Sequence, residues 1–339
     1  MNTIESNELK DNKKDIYLSL WDNKKFDFNI VKTGNTNPSY EFAFCGKSLE
    51  EFIGESIADN FGIQEIEERK VFMEKFRQTC SGSGDELRKI TTLHSSSLCA
   101  LLCFFNVTEQ NYLTISIPDY GEYKFTDSYF EFKNKVIKSP SNMDIVLVGT
   151  NTKNNNKVVL FLESKFSEYV LSVGMYKDIG KSYYKKGCFS APIYEALENN
   201  KTFDFSEKNG FENKDIYNEG LKQIISHYYG IRNFLKGKPY KKGYEMFNKI
   251  HDQINAQEIL LGEIIFEFTK INERYLESYK EKYSELAKII NKKYNQDFNN
   301  DKKDFKVIKQ LLTYSSIIDK NSTYKLPPKV RDFYFGGRN

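Results

Sequence analysis

Three side chains have the types and spacing to gather around a divalent metal ion: Asp144, Glu163 and Lys165. Glu163-Ser-Lys165 ends the most apolar run of the chain, Val158-Val-Leu-Phe-Leu162. The tripeptide Glu-x-Lys by itself is uninformative. It starts at Glu8, Glu68, Glu122, Glu131, Glu163 and Glu212, and a chain with 50 Lys+Arg and 47 Asp+Glu makes several copies by chance. Context selects the copy at Glu163. A strand that is apolar at successive positions is covered on both faces and belongs at the centre of a sheet. Alternation then points Glu163 and Lys165 to one face, where charged groups must be paired or bind an ion. Asp144 opens the preceding apolar run, Ile145-Val-Leu-Val148, and the polar linker Gly149–Lys157 joins the two runs as a hairpin with a loose tip. A turn centred near Lys153–Asn154 sets Asp144 opposite Glu163. Two facing carboxylates raise each other's pKa unless a cation lies between them. A divalent ion with oxygen ligands meets that need: Mg²⁺, with Mn²⁺ as the alternative.

The elements that must hold these residues follow from periodicity. Short β-like runs occupy residues 16–20 and 26–31. A helix is expected over 49–79, with Ser48 as cap and Glu51 three residues on, and after the break at Ser81-Gly-Ser-Gly84 a second helix over 85–105. Strands are expected at 112–117, 129–133, 144–148 and 158–165, with a late strand at 259–268. Helices are expected at 190–200, 214–235, 271–292 and 303–318. This order predicts a mixed α/β fold around one central sheet. It divides the chain into an N-terminal extension (1–84), a core (85–270) and a helical C-terminal region (271–339). Cys99 and Cys103, four apart on an apolar helix, read as small core residues rather than zinc ligands.

The segments Asn142-Met-Asp-Ile-Val-Leu-Val148 and Leu160-Phe-Leu-Glu-Ser-Lys-Phe-Ser-Glu168 resemble the PD-(D/E)xK nuclease superfamily, the restriction-endonuclease-like fold. Leu93-His-Ser-Ser96 and Glu219-Gly-Leu-Lys-Gln-Ile-Ile-Ser-His227 add a similarity to uncharacterised bacterial proteins of restriction-endonuclease type, over roughly residues 85–235. The resemblance implies a central mixed β-sheet flanked by helices, and metal-dependent hydrolysis of phosphodiester bonds in DNA. Asp144 and Glu163 would hold the metal. Lys165 would position the attacking water and stabilise charge on the phosphate. Met143 stands where the family motif has its proline, and Pro118-Asp119 with Glu131-Phe-Lys133 forms a literal but more polar copy of the motif. The family often adds an upstream helical glutamate. Glu86 is the candidate for that role, Glu131 is an alternative, and an acidic first-turn residue such as Glu86 also suits a helix dipole without catalysis. A later helix of the family can lend a polar residue, which points to Gln223, one turn from His227.

The stretch Gly220–Tyr244 contains no acid and carries Lys222, Arg232, Lys236, Lys238, Lys241 and Lys242. Tyr228, Tyr229, Phe234, Tyr240 and Tyr244 are interleaved, a composition suited to backbone phosphates and base stacking. A smaller patch holds Lys177, Lys181, Lys185 and Lys186 with Tyr183 and Tyr184. The whole chain has 339 residues, 39% hydrophobic, with a net charge of +3, so it is no uniform polycation and any nucleic-acid contact must be local. The chain has no run of about 18 apolar residues and no apolar leader in its first residues, and it has five cysteines without a CxxC pair. These features lead to the expectation of a cytoplasmic protein away from membranes. Expected partners are DNA, a second copy of the chain for double-strand cleavage, and a companion methyltransferase if the enzyme restricts DNA. The alternative function is a catalytically silent nucleic-acid-binding module on the same fold.

Overall fold

The computed structural model describes residues 30–33, 37–40, 49–81, 95–136, 140–166, 219–267, 273–297 and 303–336, with single positions at 87, 90, 193 and 196. The strands are β1 (Ile30–Thr33), β2 (Asn37–Tyr40), β3 (Leu113–Ile117), β4 (Gly121–Lys135), β5 (Pro140–Asn151), β6 (Lys157–Lys165), β7 (Glu258–Ile265), β8 (Asp304–Val307) and β9 (Leu312–Thr313). The α-helices are α1 (Leu49–Asn60), α2 (Ile66–Cys80), α3 (Ser96–Phe104), α4 (Glu219–Leu235), α5 (Tyr244–Phe247), α6 (Glu273–Asp297) and α7 (Pro328–Phe335). β1 and β2 form a separate antiparallel pair.

The other strands make one mixed sheet in the order β3-β4-β5-β6-β7-β8, with β9 also on β7. β3 to β6 is an antiparallel meander, and β7 joins β6 in parallel after a crossover that carries α4. β6 therefore lies between β5 and β7 with both faces covered, which is what its unbroken apolar run requires. Leu160 and Leu162 pack with α1, α2, α3 and α7 on one side. Val159 and Phe161 pack with α4 and α6 on the other.

The expected hairpin register holds. Ile145 pairs with Leu162, Val148 with Val159 and Thr150 with Lys157. Its tip is tied down rather than loose. Asn151, Asn154 and Asn156 each donate a side-chain amide hydrogen bond of 3.1–3.2 Å to the carboxylate of Glu258, which opens β7 and is 7% exposed. The Asn-rich linker thus fastens the hairpin to its parallel neighbour, and these donors hold the Glu258 pKa below its usual value against the effect of burial.

Several elements differ from expectation. The single helix over 49–79 is two helices, α1 and α2, separated at 61–65, where Gly62 adopts a left-handed φ of 70°. Of the helix expected over 85–105, α3 covers 96–104, capped by the Ser95 side chain, which accepts from Leu98 N–H at 3.1 Å. The helix expected near 303–318 is instead the strands β8 and β9 followed by a π-helical turn over Ser315–Asp319. Parallel pairing with β7 decides that segment, since Asp304-Phe-Lys-Val307 buries Phe305 and Val307 in alternation. The C-terminal region therefore completes the sheet. α2 likewise packs onto it, with Lys75 bonded to Asp127 at 3.1 Å. Cys99 and Cys103 are buried in the core, as expected.

Glu258→Ala removes the acceptor shared by three amides. It is expected to destabilise the protein by about 1–3 kcal/mol in urea unfolding, and Asn154→Ala alone by about 1 kcal/mol. Loss of less stability from Glu258→Ala than from Asn154→Ala would show that the tip is not held this way.

Candidate active site

The end of β6 carries two charged groups into the protein. Glu163 is 1% exposed and Lys165 is 5% exposed. A carboxylate this deep needs compensation, and it has two partners. Lys165 Nζ donates to Glu163 Oε1 at 2.6 Å, and His227 Nε2 lies 2.6 Å from Glu163 Oε2. Lys165 Nζ also donates to Gln223 Oε1 at 2.5 Å. Gln223 and His227 are one turn apart on α4, so the helix delivers both to the same strand end. The helix can come this close because Gly230 faces Asn134 of β4: a Cβ at Gly230 would lie 2.6 Å from the Asn134 Cβ. The other nitrogen of the ring, His227 Nδ1, is hydrogen-bonded to Ser141 Oγ of β5. Ser141, His227, Glu163, Lys165 and Gln223 are thus one connected polar chain across β5, β6 and α4.

Asp144 stands beside this chain. Its Oδ2 accepts from Ser164 N–H at 2.7 Å, and Ser164 Oγ bonds the Tyr314 hydroxyl at 2.7 Å. Across from Asp144 lies Glu131. The flanking pairs Phe130–Ile145 and Phe132–Met143 bracket it, and Glu131 itself takes a left-handed φ of 51°. A non-glycine residue in that region within a strand is a backbone outlier of the kind held at functional sites.

The three carboxylates are not equivalent. Burial pushes the Asp144 pKa up, the charges of Glu163 and then Glu131 push it further, and Lys165 and the Ser164 N–H offset only part of this, so Asp144 lies well above the usual carboxylate range. Burial would also raise Glu163, but Lys165 and then His227 outweigh it and hold Glu163 down to about 2. Ionisation is therefore less compensated at Asp144 than at Glu163.

That distribution fits a hard divalent cation. Mg²⁺ is commonly held by one or two carboxylates, with waters and substrate phosphate completing its shell. Asp144, with Glu131 beside it, would anchor the ion. Both Glu163 oxygens are already engaged, so Glu163 would join only by loosening its contact with His227 or Lys165. Among the described residues no three His, Cys, Asp or Glu side chains form a ready metal-binding group.

The structure brings together Asp144, Glu163, Lys165 and Gln223 as the sequence predicted. It adds Glu131, there an alternative, and gives His227 and Ser141 roles that the sequence reading did not assign. The spacing of Gln223 and His227 was the available signal for the histidine. Glu86, His94 and the Lys177–Lys186 patch lie outside the described residues. The literal motif copy does not assemble. Asp119 lies in an exposed turn with Lys309 Nζ at 3.5 Å, and Lys133 bonds the Ser81 carbonyl, while Glu131 belongs to the Asp144 cluster.

The basic stretch is only partly a surface. Lys236, Lys238, Lys241 and Lys242 are exposed. Tyr228, Tyr229 and Phe234, expected to stack on bases, are instead buried in the core, because helical spacing turns them toward the sheet. Arg232 lies over the Tyr228 and Tyr229 rings at 5.7 and 5.8 Å. Lys222 is within α4, but its side chain lies outside what is described. No helix among the described residues is long and apolar enough to cross a membrane.

No family model, curated protein or solved structure matches this chain.

The two carboxylates make opposite contributions to stability in metal-free buffer. The stability supplied by Glu163 is present above its unfolded pKa and is lost as pH falls from about 4.5 toward 2. Asp144, raised in the folded state, costs stability as pH rises through its folded pKa. Asp144→Asn, which mimics the protonated form, is therefore expected to raise Tm at pH 8, by about 2–4 °C for each kcal/mol relieved, and by less at pH 5. A lower Tm for Asp144→Asn at pH 8 would contradict the charge assignment.

Proposed function

We propose that the chain is a divalent-metal-dependent endonuclease of PD-(D/E)xK type, hydrolysing phosphodiester bonds of DNA in a restriction or defence role. The observation that carries this reading is the hairpin end, where Asp144, Glu163 and Lys165 meet at the close of the central strand with Gln223 beside Lys165. The mixed sheet with helices on both faces is compatible with the restriction-endonuclease-like fold.

Each residue has a role that its surroundings support. Asp144 supplies the carboxylate whose charge the protein leaves uncompensated. Glu163, kept ionised, fixes the Lys165 ammonium and limits its rotamers. Gln223 is a second anchor on that ammonium and, with Glu163, fixes where its charge lies. An ammonium held in this way can orient a water for in-line attack and stabilise charge on the phosphate oxygens. His227 is a positioning residue that acts through Glu163. A bound Mg²⁺ or Mn²⁺ would supply Lewis-acid polarisation of the phosphate and a more acidic water. A homodimer and a companion methyltransferase belong to the same proposal.

A specific observation favours a second reading, a silent nucleic-acid-binding module. Both oxygens of Glu163 are occupied within the protein, as in a purely structural ion-pair network. Plasmid cleavage separates the two. With Mg²⁺ the wild type is expected to nick or linearise plasmid, and Asp144→Ala and Lys165→Ala to lose at least about 100-fold in rate. Equal rates in all three proteins would remove the site assignment, and cleavage that persists in excess chelator would remove the metal.

A further inference from the structure

We infer that the segment after α4 is a stacking platform for an unpaired base, which makes DNA with unpaired nucleotides, a single strand or a locally melted stretch of supercoiled plasmid, the substrate class. This rests on the nuclease reading for its function and not for its binding. Two large apolar residues stand out as exposed among the described residues, Ile66 at 82% and Tyr244 at 56%. Their surroundings differ in sign. Ile66 is flanked by Glu65, Glu67 and Glu68, which repel a phosphate backbone. Tyr244 follows Lys241 and Lys242, with Lys236 and Lys238 just before them, and no acid occurs from Gly220 to Tyr244. Glu245 is the first acid after that stretch.

The platform is held in place. α4 ends at Leu235 and is capped by Gly237, whose φ of 63° lets its N–H reach the Phe234 carbonyl at 2.9 Å while Lys238 N–H reaches the Asn233 carbonyl at 2.9 Å. Pro239 then bridges to Asn134 of β4. Asn134 is three residues beyond Glu131, about 10 Å along the strand, so the root of the platform lies close to the carboxylate cluster. A tight 3₁₀ turn over Lys241–Gly243 then presents Tyr244 at the start of α5. An exposed tyrosine ring among lysines can stack on any base while the ammonium groups follow the backbone, whereas paired bases offer no free face.

The test is anisotropy of a labelled oligonucleotide in excess chelator, so that metal-dependent hydrolysis is stopped and binding is read alone. Wild type is expected to bind a single strand more tightly than the duplex of the same sequence. Tyr244→Ala is expected to weaken single-strand binding about tenfold and to leave duplex binding within about twofold, and Tyr244→Phe to retain the wild-type values. Lys241→Ser/Lys242→Ser is expected to lower the log–log salt slope by about 1.4 for the single strand. Tyr244→Ala leaving single-strand affinity unchanged, or weakening both substrates equally, overturns the inference, as does a preference for duplex. The expected binding pattern together with no cleavage in Mg²⁺ upholds the platform and removes the nuclease reading. Cleavage without the binding pattern does the reverse.

Discussion

The structure turns on one buried carboxylate. Glu163 follows the apolar run Val158–Leu162 of β6, and its ionised form persists there because Lys165 and His227 touch one oxygen each. These contacts constrain much else. α4 must cross the sheet with Gln223 and His227 facing the end of β6, which requires the small residue at Gly230. Ser141 must sit where β5 begins, because the second nitrogen of the ring needs a partner. A buried pair with one member removed leaves an uncompensated charge, at roughly 3–5 kcal/mol. Loss of activity on changing Lys165 therefore acquires chemical meaning only beside a measurement of folding.

Asp144 and Glu163 illustrate how one pair of strands separates two carboxylates. Both are buried, yet Lys165 and His227 bond directly to Glu163, while Asp144 feels Lys165 only through space. Groups of one chemical type pushed apart in pKa mark sites where acid and base roles, or metal and structural roles, are divided. Glu131 increases the division. Its left-handed backbone interrupts the ladder opposite Asp144, and its charge adds to that of Glu163 in raising the Asp144 pKa. The irregularity works against regular pairing at the position opposite Asp144.

The hairpin was legible from sequence for physical reasons. Two apolar β-branched runs around an Asn-rich turn leave one register that buries both faces, and that register is the one observed. The late strand and the helix over α6 were legible by the same periodicity. β8 was not, because four residues with a lysine among them carry too little pattern, and only the parallel edge of β7 makes them a strand. Tyr228, Tyr229 and Phe234 were misread for a related reason. Composition placed them with the lysines, while their spacing along α4 turned them inward. The role of Glu131 depends on a backbone angle, and no propensity of glutamate announces it.

The two ends of the β5–β6 hairpin show what sets the site apart from ordinary polar structure. At the tip, the Glu258 carboxylate is met by the neutral amides of Asn151, Asn154 and Asn156, which satisfy its lone pairs without bringing any charge, and its pKa falls. At the open end, burial and then the charges of Glu163 and Glu131 raise the Asp144 pKa, and Lys165 with the Ser164 N–H offsets only part of the rise. The chain therefore satisfies a strand-end carboxylate where the purpose is fastening. The open end leaves Asp144 raised in pKa although the Lys165 ammonium, held by Glu163 and Gln223, offsets part of the rise. On the proposed reading a divalent ion would supply the missing charge, and a phosphodiester would bring the oxygens that Mg²⁺ prefers to share. The asymmetry along one hairpin is thus the physical reason to look for chemistry at Asp144 and Lys165 rather than at the tip.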